Sequence, residues 1–204
     1  MDIRARILTH AQEAFMRYGV KSITLDDTAR ALAISKKTIY QYFQNKADLV
    51  YEVARVFIQM ERDRGDQMAH AARHAVEELV MVANWSFQTF RQMSPSLIFE
   101  VRKYYPQAWD LFEDFKSSYL SSKISENLRR GIYEGLFRSD LHIEIVTRMR
   151  LNQIDASLRD DLYPATRFDA AEVQRQLFDM YIRGLLTDRG REVLHQLYST
   201  ATPT

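Results

Sequence analysis

An all-α fold is what this sequence predicts, and three observations lead there. Glycine and proline are scarce, six and four in 204 residues, which leaves few of the turns that a strand-rich chain needs. Apolar residues recur three and four apart along most of the length, and no stretch alternates with the strand period of two. Ser, Thr and Asn stand at the heads of several of these periodic segments, where a side-chain oxygen accepts from unpaired backbone amides.

The elements follow in order. Ile3, Ile7, Ala11, Ala14, Phe15 and Tyr18 mark a first helix that Gly19 stops. Thr24 with Asp27 opens a second, whose inner face is Leu25, Ala29 and Leu32, with Ile34 filling the turn after it. Ser35 opens a third, pinned by only Ile39 and Phe43. Asn45 with Asp48 opens a fourth, which runs through Leu49, Val50, Val53, Val56, Phe57 and Met60 without Gly or Pro, a stiff connection out of the amino-terminal head. Beyond Arg64-Gly65 the periodicity predicts a segment from about 67 to 92, broken near His74. Ser94-Pro95 starts the next helix, and Tyr105-Pro106 starts one reaching Gly131. Gly135 and Ser139-Asp140 mark a loop. A helix with Ile145, Met149, Ile154 and Leu158 extends to about Asp161, and Pro164 ends that region. Val173, Leu177, Phe178, Tyr181, Ile182 and Leu185 form a further helix, Thr187 caps a last one through Tyr198, and 199–204 reads as a polar tail.

Composition narrows the function classes. There is no cysteine, which excludes disulfides and thiolate metal sites and fits a reducing cytoplasm. No apolar run approaches the ~20 residues of a spanning helix, and no export signal is visible, so no membrane partner is expected. Residues 1–50 carry a net charge of +3 and residues 51–204 a net of −2, the sign of a nucleic-acid-facing head on a neutral-to-acidic body. Five scattered histidines form no acid–base pair, and no glycine-rich phosphate loop appears. His70 and His74 have the i, i+4 spacing of a metal pair, yet a surface helix with two histidines is far commoner. Neither a metal nor a cofactor is expected.

A short helix, a tight turn and a second short helix are the arrangement that places a helix in the major groove of DNA. The third helix carries Lys36, Lys37, Thr38, Tyr40, Gln41 and Tyr42, all hydrogen-bonding side chains, around its two apolar anchors. A polar helix held at two points is suited to contact double-stranded DNA. An all-α enzyme with its site among the body aromatics is one alternative, and a helical adaptor whose head binds protein is another. Against the adaptor stands the charge on the third helix, since interface cores are depleted of charge.

Four motifs carry a resemblance: Ala-Phe-x-x-Tyr-Gly-Val over 14–20, Thr-Leu-Asp-Asp-x-Ala over 24–29, Ile-Ser-Lys-x-Thr-Ile-Tyr-x-Tyr-Phe over 34–43 and Asn-Lys-x-x-Leu over 45–49. In them the chain resembles the TetR-type transcriptional regulators. Two positions depart from the family pattern. Ala33 stands where the turn glycine is usual, which is acceptable if its φ stays negative, and Thr28 replaces the usual Ile or Val. The resemblance implies a DNA-binding head over residues 1–46, and an effector-binding and dimerisation body over 47–204. It implies a homodimeric, ligand-responsive repressor of a palindromic operator. It places Thr24 on a phosphate, Lys36, Lys37, Thr38 and Gln41 at base edges or flanking phosphates, Tyr40 and Tyr42 on backbone or thymine methyls, and Lys46 on a phosphate, and it counts Ser35 among the DNA-binding residues. With only Met1-Asp2 ahead of the first helix, no basic minor-groove arm is expected. Trp85, Phe90, Phe99, Trp109 and Phe112 are the aromatics expected to line an effector cavity. No buried arginine or carboxylate stands out among them as a ligand anchor, so an apolar or aromatic effector is expected. Met149, Val173, Leu177, Tyr181 and Leu185 are the expected dimer face, a stripe too wide for one packed surface.

Overall fold

The computed structural model describes residues 2–200, and over them the chain is all-α. The helices are α1 (Ile3–Tyr18), α2 (Leu25–Ala31), α3 (Lys36–Tyr40), α4 (Lys46–Ala71), α5 (Ala75–Gln92), α6 (Leu97–Tyr104), α7 (Pro106–Asp114), a π-helical segment (Phe115–Leu120), α8 (Ser121–Tyr133), α9 (Ile143–Ser157), α10 (Ala170–Leu185) and α11 (Asp188–Thr200). The only β-type pairing among the described residues is one antiparallel bridge, Phe137 to Leu186. Residues 201–204, most of the expected polar tail, and Met1 lie outside the described residues.

The chain packs as two units. The first comprises Met1–Arg62 and Gln92–Phe115, the second Asp63–Arg91 and Lys116–Thr204. In the first, α1 buries Ile7, Ala11 and Phe15 against Leu25, Ala29, Ile39, Phe43, Leu49 and Val50, with Leu97 and Ala108 of α6 and α7 in the same core. In the second, Ala75 and Val76 of α5 join Leu128, Phe137, Phe178, Tyr181, Ile182 and Leu194. Helices α6 and α7 therefore pack with the amino-terminal helices, an association that periodicity along the sequence gave no means to foresee.

Caps explain the head's sharp corners. The Thr24 hydroxyl accepts from the Asp27 N–H at 3.1 Å, and Asp27 Oδ2 accepts from the Thr24 N–H at 3.0 Å, a complete capping box. The Thr24 hydroxyl bond, then the backbone bond, lowers the Asp27 pKa. That stabilising charge is therefore present at neutral pH and is lost only as pH falls through the lowered value. Asn45 accepts from the Asp48 N–H at 3.0 Å, while Asp48 returns its bond to the Gln44 amide, one residue before the expected partner. The Thr28 hydroxyl, wholly buried, donates to the Thr24 carbonyl at 3.2 Å, so the unusual polar residue there is satisfied locally.

The α2–α3 turn corrects one expectation. Ala33 has φ +52°, the only non-glycine positive φ among the described residues. Its N–H donates to Arg30 O and the Ile34 N–H to Ala29 O, the paired bonds of a Schellman turn, which demands a left-handed residue at this position. A Cβ in that region costs about 1–2 kcal/mol, partly offset by the smaller chain entropy of Ala. Ala33→Gly is thus expected to stabilise the protein by about 1 kcal/mol, raising Tm by roughly 2–4 °C for a chain of this size. Thermal unfolding checks this.

Further along, α4 continues six residues past Gly65 before it stops. Gly65 is a packing position and not a helix end, because a Cβ there would lie 2.5 Å from the Tyr119 hydroxyl. The break falls at 72–74, where His74 Nδ1 accepts from the Glu77 N–H at 3.1 Å and caps α5. Arg130 closes the end of α4 by donating to the Ala72 carbonyl at 2.9 Å, and is itself held by Glu134 at 2.7 Å and Glu78 at 3.3 Å. Helix α9 ends at Ser157, earlier than expected, and its Ile145 and Met149 face outward while Val146 packs into the second core.

Candidate nucleic-acid interface

Ile39 and Phe43 are fully buried, so the third helix is pinned as its sequence requires. From Ser35 to Tyr42 the other side chains are exposed, apart from a half-buried Thr38. Their environments divide them. Ser35 accepts from the Thr38 N–H at 3.0 Å, and the two hydroxyls lie 2.8 Å apart, so this pair caps α3. Lys36 Nζ lies 2.8 Å from Asp26 Oδ1, and that hydrogen bond raises its pKa, so its charge is matched within the head. Lys37 and Gln41 are exposed, with no side-chain partner among the described residues. Tyr40 and Tyr42 are 48% and 38% exposed, a large surface for tyrosines whose neighbours Ile39 and Phe43 are buried. Lys37, Tyr40, Gln41 and Tyr42 thus form the open surface of this element.

Two further residues flank it. Thr24 is exposed at the start of α2. Lys46, half-buried in the first turn of α4, has Nζ 3.5 Å from the Lys21 carbonyl and no ion pair among the described residues. Burial lowers its pKa, against the opposing pull of Glu100 and Asp27. Glu100 is a residue that sequence reasoning missed. It is buried in α6, accepts from the Lys21 N–H at 2.7 Å, and sits under Gly19, whose hypothetical Cβ would lie 3.0 Å from its carboxylate. The one available signal was an acid among the apolar residues 97–101.

The body residues scatter. Trp85 and Phe90 belong to the second unit, Phe99, Trp109 and Phe112 to the first. Trp109 and Phe112 stack with centroids 5.0 Å apart, Trp85 lies under the Arg64 guanidinium at 4.4 Å, and Phe99 is exposed with Lys103 across its ring. An open groove of about 820 Å³ in the second unit is walled by Ser121, Ser125, His142, Thr147 and Arg148, and none of the five aromatics lines it. Of the expected dimer face, Val173, Tyr181 and Leu185 are buried by their own chain, Leu177 is half-buried and Met149 is exposed. The stripe was too wide because one helix faces several neighbours within the protomer. The expectation of no buried arginine also needs correcting. Arg150 in α9 is partly buried, and burial lowers its pKa. No three His, Asp or Glu side chains among the described residues are placed to hold a metal ion.

A helix-turn-helix with a polar, exposed second helix is the arrangement by which DNA-binding proteins present a recognition helix. Residues 7–53 match the family model of bacterial regulatory proteins of the tetR family. The chain is 24% identical over 194 residues to the HTH-type transcriptional repressor KstR2 of Mycolicibacterium smegmatis, covering 92% of each. It is 27% identical over 192 residues to the HTH-type transcriptional regulator YvaF of Bacillus subtilis, covering 90% of this chain and 95% of that one. Among solved structures, a transcriptional regulator from Saccharomonospora viridis in complex with choline superposes with a TM-score of 0.70 at 22% identity, over 90% of this chain and 97% of that one. Over residues 7–53 the chain therefore carries the DNA-binding region of the tetR family of bacterial regulatory proteins, and the relatives it resembles along most of its length are transcriptional regulators. No helix among the described residues is long and apolar enough to cross a membrane.

Proposed function

We propose that this chain represses transcription as a homodimer on a palindromic operator and is released by a small-molecule effector. The observation that carries the reading is the unpartnered row Lys37, Tyr40, Gln41 and Tyr42 on a helix whose only buried anchors are Ile39 and Phe43. Residues 1–46 serve DNA contact, with Thr24 and Lys46 on phosphates and Gln41 at a base edge. Residues 47–204 serve effector binding and dimerisation, although α6 and α7 pack with the head. Two recognition helices then meet successive major grooves, with half-sites about 34–36 Å apart or wider. An effector acts by binding the released shape more tightly than the DNA-bound one, since equal affinity shifts nothing.

The dimer surface we assign is the outer side of α9 and α10. Ile145 is 62% and Met180 71% exposed, with exposed Met149 one turn from Ile145 on α9 and half-buried Leu177 one turn from Met180 on α10. A Cβ at Gly184, one turn beyond Met180, would meet no side chain or neighbouring element within 4 Å, so the helix surface there is open and low. Met149→Glu with Met180→Glu is expected to give a folded monomer by light scattering, and to lose operator binding at least 100-fold because one head cannot span a palindrome. A monomeric wild type, or a monomeric variant with full operator affinity, contradicts the reading. The companion measurement is anisotropy with fragments of the neighbouring promoter across salt concentrations. Affinity should fall linearly on logarithmic axes as phosphate contacts release counterions, and salt-independent binding counts against the interface.

A further inference from the structure

We propose that Arg150 and Tyr181 in the second unit anchor the acid group of an amphipathic ligand, a carboxylate carried on an apolar body. Arg150 interrupts an otherwise apolar row on α9, between Val146 and Ile154. Its guanidinium carbon lies over two aromatic rings of α10, 5.5 Å from the Phe178 centroid and 5.1 Å from that of Tyr181. Phe87 of α5 meets Phe178 edge-on at 5.9 Å, which extends the aromatic surroundings. The one polar contact of the guanidinium is the neutral Gln153 Oε1 at 3.4 Å, and no carboxylate among the described residues pairs with it. Arg130, in the same unit, shows the usual solution, two glutamates and two backbone carbonyls.

Tyr181 adds a second unsatisfied group. The residue is 3% exposed, and its hydroxyl is buried with no hydrogen-bond partner among the described residues. Burial raises its pKa, so it stays protonated and can donate. A partly buried cation packed on the ring of Tyr181 and the buried hydroxyl of that same residue are both costly without an acceptor. One carboxylate satisfies both, accepting from the guanidinium fork and from the phenol. A single positive charge matches a monoanion better than a phosphate dianion, and the surrounding rings call for an apolar remainder. The acid group is an addition to the apolar or aromatic effector expected from the sequence.

The proposal rests on the effector-responsive reading only for its consequence on DNA. The test uses full-length protein with dodecanoate, dodecyl phosphate, dodecanol and dodecylamine as probes, followed by calorimetry and by operator anisotropy. Dodecanoate is expected to bind at least tenfold more tightly than dodecanol or dodecylamine. Arg150→Met should remove that preference while leaving dodecanol affinity unchanged, and Tyr181→Phe should reduce it severalfold. Ligand-free Arg150→Met should unfold at the same or a higher temperature than wild type, because it removes a partly buried cation that has no carboxylate partner. Dodecanoate binding no better than dodecanol, or not at all, overturns the proposal. So does an Arg150→Met variant that melts lower yet keeps the preference, which marks the arginine as structural. Dodecyl phosphate binding tightest overturns the carboxylate assignment. Arg150-dependent binding that leaves operator affinity untouched upholds the site and refutes the effector response, whereas release by dodecanol independent of Arg150 does the reverse.

Discussion

Gln41→Ala is expected to weaken the operator complex by about 2–6 kcal/mol and to relax its preference at one base position in each half-site. A glutamine paired with an adenine edge contributes about 1–3 kcal/mol of discrimination, and a two-fold symmetric dimer makes that contact twice. Gln41 is exposed and its amide has no partner within the head, so helix content and Tm should not change. Lys46→Ala supplies the contrast. Its partly buried ammonium, unpaired in the free protein, meets a phosphate in this account. Its loss should weaken binding to every sequence alike and reduce the salt slope by about 2 per dimer. Competition anisotropy against a panel of single-base operator variants separates the two. Equal losses across the panel for Gln41→Ala count against a base contact, and a drop in its Tm counts against an exposed functional role.

Gly131→Ala is expected to destabilise the protein by about 1–3 kcal/mol, the usual range for overpacking a core, in spite of the roughly 1 kcal/mol that alanine gains over glycine in a helix. A Cβ at Gly131 would lie 2.0 Å from Phe137 Cδ2 and 2.3 Å from Cε2. Phe137 is buried, and its backbone is tied by the Gly131 carbonyl and by the bridge to Leu186, so the ring has little room to retreat. The contact defines how α8 ends and how the following loop enters the second core. Phe137→Ala alone should cost about 3–5 kcal/mol. In the double variant the losses should fall short of additive, because the added methyl enters the space the ring vacated. Chemical denaturation of the four proteins gives the coupling. Strict additivity would show that the two residues do not share that space.

The two structural predictions and the DNA prediction differ in how legible their sites are in the sequence. The head was readable because its information is local: Thr24, Ser35 and Asn45 announce helix starts within three residues of their partners, and Ile39 and Phe43 announce the buried side. Its one misjudged detail, the sign of φ at Ala33, depends on how two helices meet, which no spacing encodes. In the body the information is long-range. Gly65 and Gly131 read as punctuation but are close approaches to Tyr119 and Phe137. Val173, Tyr181 and Leu185 read as a partner-facing stripe but fill their own core. Arg150 was invisible because the sequence does not show that Phe178 and Tyr181 lie over it. The π-helical segment at Phe115–Leu120 has no signature that periodicity can register.

The central claim is that the outward row of α3 faces DNA, and photocrosslinking from that row tests it most directly. A photoreactive phenylalanine analogue placed at Tyr40 is compared with the same analogue at Tyr133, which is 92% exposed in the body. With operator duplex, strong crosslinks to bases from position 40 and none from position 133 are expected, and they should disappear at high salt. Crosslinks of similar yield from both positions, or from position 133 alone, contradict the account.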